Sequence, residues 1–72
     1  MTKQERLQEV HASLINGNRQ QMVEQINANF ILYDFWKEYL DFLKEDCGYD
    51  SSIALIHFSD AVISYHRIKP RM

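Results

Sequence analysis

The sequence predicts a single all-α domain of four short helices, and three observations support this prediction. Apolar residues recur three and four positions apart over most of the 72-residue chain, which is the periodicity of amphipathic helices. Residues that favour helix N-caps precede these segments. The two glycines and the one proline lie where the periodic segments end. We therefore expect helices at about 3–16, 19–28, 34–47 and 51–66, joined by tight loops.

The first helix is predicted to begin after Thr2. Thr2 and Glu5 have the spacing of a capping box, in which each side chain binds the backbone N–H of the other residue. Asn16-Gly17 ends the helix, because glycine adopts the left-handed conformation without a steric cost. An apolar stripe lies between these limits, with its last two members slightly off its axis: Leu7, Val10, Leu14, His11 and Ile15.

The second helix repeats this pattern over a shorter length. Asn18 is its predicted N-cap, with Gln21 at the third helical position. Met22, Val23 and Ile26 form its apolar face. A tight corner between two helices is therefore expected at Asn16-Gly17-Asn18.

The third helix ends at Gly48, but the sequence leaves two positions open for its start. Either Asn29 caps a helix that begins at Phe30, or Asp34 caps a helix that begins at Phe35. We favour Asp34 slightly, because the preceding run from 30 to 33 is apolar and rich in residues that prefer extended backbone.

The fourth helix is predicted to begin after Asp50 or Ser51 and to reach about His66. Pro70 prevents its continuation, and we expect residues 67–72 to fray as a basic tail. Its predicted core face is broad and apolar: Ala54, Leu55, Phe58, Ala61, Val62 and Tyr65.

Composition restricts the class of protein. With 46% hydrophobic and 25% charged residues, the chain resembles an ordinary soluble domain. Cys47 is the single cysteine, so the fold has no intramolecular disulfide and a reducing cytoplasm is the expected location. The polar N-terminus lacks the apolar segment of a secretory signal, and no apolar run approaches the length of a membrane span. We therefore expect neither export by that route nor a transmembrane segment.

The third helix provides the candidate interaction surface. Four acids lie on one face at helical spacing, opposite a predicted core stripe of Trp36, Tyr39, Leu40 and Leu43. Phe35 and Phe42 lie on the flank between the two faces, either in the core or at an exposed edge. Aromatic residues surrounded by charge are typical of interface centres and rims. The candidate surface consists of Phe35, Phe42, Asp34, Glu38, Asp41 and Glu45.

Charge is uneven along the chain and suggests a second hypothesis. Residues 21–50 carry a net charge of −5, whereas residues 1–20 and 51–72 carry +1 and +2. The C-terminal Arg67, Lys69 and Arg71 are an alternative basic patch for nucleic acid. Nucleic acid is the less favoured partner, because the predicted second helix carries one basic residue and the chain is acidic overall.

The sequence predicts no catalytic site, cofactor or metal. His57 and Asp60 have an i, i+3 spacing that suits a metal, but the paired short spacings of a four-ligand zinc site are missing from the sequence. Cys47 lies among acids, which raise a thiol pKa and oppose nucleophilic chemistry. A Gly-rich phosphate loop is also missing from the sequence.

The runs "LINGNRQQMVEQI" and "YDFWKEYLDFL" resemble small uncharacterised helical proteins of bacteriophages and other mobile elements. This resemblance implies an accessory protein and supplies no activity for any residue. The sequence therefore predicts a cytoplasmic, non-catalytic interaction module that binds another protein or a second copy of itself. The alternative is a small nucleic-acid-associated regulator that uses basic residues at both termini, with Lys3, Arg6 and Arg19 beside the C-terminal patch.

Overall fold

The computed structural model describes residues 2–68, and within them the chain forms four α-helices, as predicted. The helices are α1 (Lys3–Ile15), α2 (Arg19–Asn29), α3 (Leu32–Glu45) and α4 (Ser51–Ile68). α1 packs against α2 and α3, and α4 packs against the same two helices. The all-α prediction is confirmed, and each predicted helix is present within about two residues of its expected limits.

The predicted caps account for three of the helix starts. The N–H of Glu5 donates to Thr2 Oγ1 at 3.2 Å, and the N–H of Thr2 donates to Glu5 Oε1 at 2.8 Å, which completes the capping box. Asn18 Oδ1 accepts from the N–H of Gln21 at 3.3 Å. Asp50 Oδ1 accepts from the N–H of Ile53 at 2.9 Å, so Asp50 caps α4.

The turns after α1 and α3 need a left-handed residue, and glycine provides it at both. Gly17 has a φ of 79° and Gly48 a φ of 72°. A residue with a Cβ atom is strained in this region of backbone conformation. The two glycines therefore let α1 turn into α2 and α3 turn towards α4 within a few residues.

The start of α3 corrects both predicted positions. The helix begins at Leu32, and the N-cap is Ile31, which is extended and makes no side-chain capping bond. The Ile31 carbonyl accepts from the N–H groups of Asp34 and Phe35 at 3.0 and 2.9 Å. Asp34 thus lies inside the first turn, where a carboxylate interacts favourably with the helix dipole. Phe30 packs against the core and fixes the short link that precedes the helix.

The core lies at the centre of the four helices and includes residues from each. Its members are almost fully shielded from solvent: Leu7, Val10, Leu14, Met22, Val23, Ile26, Phe35, Tyr39, Phe42, Leu43, Ala54, Ala61 and Tyr65. The fully buried apolar side chains of α4 are the small ones of Ala54 and Ala61, which lie where the helix meets its neighbours. A helix with alanine at its contact approaches its neighbours closely.

The C-terminal end of α4 extends further than predicted. The helix continues to Ile68, so Arg67 is helical and does not belong to a frayed tail. Cations in the last turn of a helix are stabilised by its dipole, which accounts for the added residues. Residues 69–72 of the predicted tail, which include Lys69 and Arg71, lie outside the described residues.

Candidate interaction surface

The aromatic part of the surface predicted on α3 lies in the core. Phe35 is 0% and Phe42 is 5% exposed, so the prediction of an exposed Phe35/Phe42 edge is wrong. Phe35 stacks on Tyr39 at 5.3 Å between ring centroids, and the ring of Phe42 meets that of His11 from α1 at 6.1 Å. The ring of Phe42 is covered by α1 through His11, and that of Phe35 by Phe30 from the link that precedes α3.

The acidic residues of the predicted surface lie at the solvent side of the same contact. Asp34, Asp41 and Glu45 are exposed, whereas Glu38 is half-buried. Glu38 Oε2 accepts from Lys3 Nζ at 2.7 Å, and this hydrogen bond raises the pKa of Lys3. The ion pair joins α1 to α3 at the surface. Because Phe35 and Phe42 are buried, the acids form a solvated helix face that has no apolar centre.

The predicted core stripe of α3 is confirmed in part. Tyr39 and Leu43 are fully buried, and Trp36 and Leu40 are half-buried at the side of α3 that adjoins α4. The indole ring of Trp36 meets the ring of Phe58 at 5.8 Å and that of Tyr65 at 5.7 Å. Trp36 therefore joins α3 to α4 while part of its side chain stays accessible.

Four of the seven large apolar side chains that are exposed among residues 2–68 lie on α4, where the sequence does not predict an exposed apolar surface. Leu55 is 51%, Ile56 65% and Ile63 54% exposed. These side chains share one side of α4, which we call the outer face of α4. It consists of Ser52, Leu55, Ile56, Ser59, Val62, Ile63 and His66. At 100° per residue, these seven residues span an arc of about 120°.

Leu55 and Val62 correct the predicted core face of α4. They were expected beside Ala54 and Tyr65, but Leu55 is exposed and Val62 is half-buried. The core side of α4 is centred on Ala54 and Ala61, which places Leu55 about 100° away towards solvent. Apolar residues surround most of α4, so periodicity alone did not show which side would be covered.

Polar contacts hold α4 in the orientation that exposes this face. Arg19 Nε donates to Ser64 Oγ at 2.8 Å, and the Arg19 guanidinium also pairs with Asp60 at 3.3 Å. Tyr65 Oη donates to Asn27 Oδ1 at 2.7 Å. All three bonds connect α4 to α2 through residues that lie outside the outer face. They therefore fix the rotation of α4 about its axis.

A buried polar cluster lies on the other side of the core and has a structural role. His11 Nδ1 lies 3.0 Å from Tyr39 Oη, and its Nε2 lies 3.1 Å from Tyr49 Oη. The His57 ring meets His11 at 5.3 Å and stacks on Tyr49 at 4.8 Å. Burial, with a smaller contribution from His57, lowers the pKa of His11. Both ring nitrogens are occupied, so His11 has no free position for a ligand.

The structure also describes the residues that the sequence offered as candidates for metal or thiol chemistry, which are His57, Asp60 and Cys47. Asp60 pairs with Arg19, and His57 packs against Tyr49, so their partners are side chains of this chain. Among residues 2–68, no three His, Cys, Asp or Glu side chains group as metal ligands would. Burial, with a smaller effect of Asp46, raises the pKa of the Cys47 thiol. This direction agrees with the prediction and disfavours the thiolate.

Two of the basic residues considered for nucleic acid are paired with carboxylates of the same chain. Lys3 pairs with Glu38, and Arg19 pairs with Asp60. Arg67 is exposed at the end of α4, and its predicted companions Lys69 and Arg71 lie outside the described residues. No helix between residues 2 and 68 has the length and apolar character needed to cross a bilayer.

No protein-family model, curated protein or solved structure matches the chain. Its function therefore has to be inferred from the surface and chemistry of its own residues.

Proposed function

We propose that the chain is a small interaction module, with no catalytic activity of its own, that binds an apolar helical surface of a protein partner through the outer face of α4. The observation that carries this proposal is the exposure of Leu55, Ile56 and Ile63 on one side of a single helix. Single exposed apolar residues are common on proteins, but several on one side of one helix are typical of a contact surface.

The composition of the outer face supports a protein contact. None of its members is Asp, Glu, Lys or Arg, whereas Asp60 and Arg67 lie on the neighbouring side of the helix. Depletion of charged residues is characteristic of the central part of protein interfaces. Residues spaced three and four apart on one helix also provide the ridges that pack into the grooves of a second helix.

The size of the face supports weak and reversible binding. Full burial of a leucine or isoleucine contributes about 1.5–3 kcal/mol, so the exposed half of each contributes about 1 kcal/mol. Three such side chains on each of two matching faces would together contribute about 6 kcal/mol. Association itself has a cost in lost translational and rotational freedom that offsets much of this contribution. The remaining free energy favours a transient contact, which half-buried Trp36 and Val62 would extend at its edge.

Two further parts of the proposal rest on the sequence. The single cysteine is free, which is compatible with a reducing compartment and supports a cytoplasmic location. The resemblance to small phage and mobile-element proteins supports the role of an accessory protein. The outer face of α4 replaces the Phe35/Phe42 edge as the contact element, because those two rings are buried.

Photocrosslinking tests the proposed function. Benzoylphenylalanine replaces Ile56 in one variant and Ile15, which is 58% exposed at the end of α1, in a matched control. We expect crosslinks to protein from position 56 and few from position 15 after irradiation in expressing cells. The partner identified from the crosslinked peptides is then purified and titrated with wild type, Ile15→Asp and Ile56→Asp/Ile63→Asp.

Binding by wild type and Ile15→Asp, with loss in the double variant, supports the proposal. Equal crosslinking from positions 56 and 15, or equal binding by all three proteins, would show that the outer face of α4 is not the contact surface.

A further inference from the structure

We infer that the partner that covers the outer face of α4 is a second copy of this chain, with the two α4 helices antiparallel about a two-fold axis at Ser59. This inference rests on the proposed function and specifies its partner. Three features of the outer face support it: the order of its residues, its lack of charge and the small residue at its centre.

The order of residues on the outer face is nearly symmetric about Ser59. In an antiparallel pair centred at Ser59, the residue n positions after Ser59 in one copy faces the residue n positions before Ser59 in the other copy. This rule places apolar opposite apolar and polar opposite polar: Val62 opposite Ile56, Ile63 opposite Leu55, and His66 opposite Ser52. The face is therefore complementary to itself.

The absence of charged side chains permits the face to meet its own copy. A face with a net charge repels a second copy of itself, as the acidic face of α3 with Asp34, Asp41 and Glu45 would. The outer face of α4 carries neither carboxylates nor lysine or arginine. Asp60, on the adjoining side of the helix, is paired with Arg19 of the same chain.

The charges at the helix ends favour the antiparallel arrangement over the parallel one. A parallel pair would place Arg67 beside Arg67 of the second copy and two negative helix ends side by side. An antiparallel pair separates the two arginines by most of the length of the helix. The helix dipoles then oppose each other, which is the favourable orientation.

A serine at the centre lets the helices approach closely. Helix axes pack about 8–10 Å apart, and each Cα lies about 2.3 Å from its own axis, so Cα atoms that face each other are about 3.4–5.4 Å apart. This separation overlaps the range of about 4.4–6.8 Å found in disulfides. Cysteine at position 59 would therefore be within bonding distance of its copy.

The position of α4 in the fold leaves room for the second copy. Its core side packs on α2 and α3 through Ala54, Ala61 and Tyr65, so the outer face lies at the surface of the molecule. Eighteen residues give α4 a length of about 27 Å. A contact along one helix is at or below the lower end of standard interface sizes, so we expect a dissociation constant of about 10–100 μM.

Cysteine crosslinking tests the partner and its orientation. In a Cys47→Ser background, Ser59→Cys should form a disulfide-linked dimer under mild oxidation. Ser52→Cys alone should stay monomeric, but it should crosslink to the His66→Cys chain when the two are mixed. Circular dichroism of each reduced variant verifies that it is folded.

Two results would overturn the antiparallel pair. Efficient disulfide formation by Ser52→Cys with itself would indicate parallel helices. Failure of Ser59→Cys to crosslink at about 1 mM protein, well above the expected dissociation constant, would exclude a pair centred at that residue.

Sedimentation equilibrium separates this inference from the proposed function. We expect wild type to show a concentration-dependent mass between monomer and dimer. Ile56→Asp/Ile63→Asp should raise the dissociation constant at least about 100-fold, because two carboxylates would be buried without partners. Ile15→Asp should leave it unchanged within about threefold.

A wild-type mass that stays monomeric to about 1 mM would overturn the second copy as partner. Crosslinking from position 56 to another identified protein would then leave the proposed function standing. If wild type stays monomeric and position 56 crosslinks to no other protein, the proposed function is rejected as well.

Discussion

Replacing Phe35 with alanine should remove much of the stability of the domain, whereas replacing Ile56 should remove little. Phe35 is fully buried, and the centroid of its ring lies 4.9 Å from the ring centroids of Phe30 and Trp36. Truncation of a buried phenylalanine to alanine typically costs about 3–5 kcal/mol, from lost burial and from the cavity that remains. Proteins of this size have a total unfolding free energy of about 4–11 kcal/mol.

Ile56 provides the matched comparison. It is 65% exposed, so about a third of its burial free energy is at stake, and Ile56→Ala should cost about 0.5–1 kcal/mol. The two substitutions thus differ severalfold in their effect on folding. For association the order should be the opposite. Ile56→Ala should weaken it more than Phe35→Ala, because Ile56 lies on the proposed contact face and Phe35 does not.

Urea unfolding monitored by circular dichroism measures both effects at a protein concentration below the dissociation constant. Where Phe35→Ala leaves too little native protein, Phe35→Leu retains most of the volume and should cost about 1 kcal/mol. Phe35→Ala with a loss below about 1 kcal/mol would refute its assignment to the core. A loss for Ile56→Ala as large as that for Phe35→Ala would refute the exposure of the outer face.

Three further substitutions test the caps and the buried histidine. Burial lowers the pKa of His11 below its ordinary value of 6.5, so the unfolded chain binds more protons than the folded one as the pH falls below that value. The free energy of unfolding should therefore decrease between pH 7 and pH 5, and His11→Gln should reduce that decrease; an unchanged decrease would contradict this role. Thr2→Ala should cost about 1 kcal/mol in urea unfolding by removing the capping box, whereas Thr2→Ser should cost little; equal losses would contradict a cap through the hydroxyl. Gly17→Ala should cost about 1 kcal/mol through its positive φ, and Gly17→Asn less; similar stability of Gly17→Ala and wild type would contradict the left-handed turn.

Local signals predicted the helices well because their causes are local. The hydroxyl of Thr2 and the amide of Asn18 act on N–H groups three residues away, and Gly17 and Gly48 act through their own φ angles. The start of α3 was missed because it has no side-chain cap. It depends instead on the packing of Phe30 against the core, which is a tertiary contact.

The contact surface was predicted less well, because exposure depends on which helices cover which side. Periodicity identified two apolar flanks of α3 but did not show that α1 covers Phe42 and that Phe30 covers Phe35. On α4 the apolar residues extend around most of the helix. Small Ala54 and Ala61 form the buried side, while the larger Leu55 and Ile56 stay outside, against the expectation that larger residues are buried first.

The alanines on the buried side of α4 also restrict how the domain could evolve. A rotation of α4 that buried Leu55 and Ile56 would bring branched side chains into spaces now filled by Ala54 and Ala61, and close-packed interiors do not accept the added volume. The exposed apolar stripe therefore cannot be removed by turning the helix. A lineage that lost the need for a partner would have to replace these surface residues individually with polar ones, and each replacement would leave the fold intact.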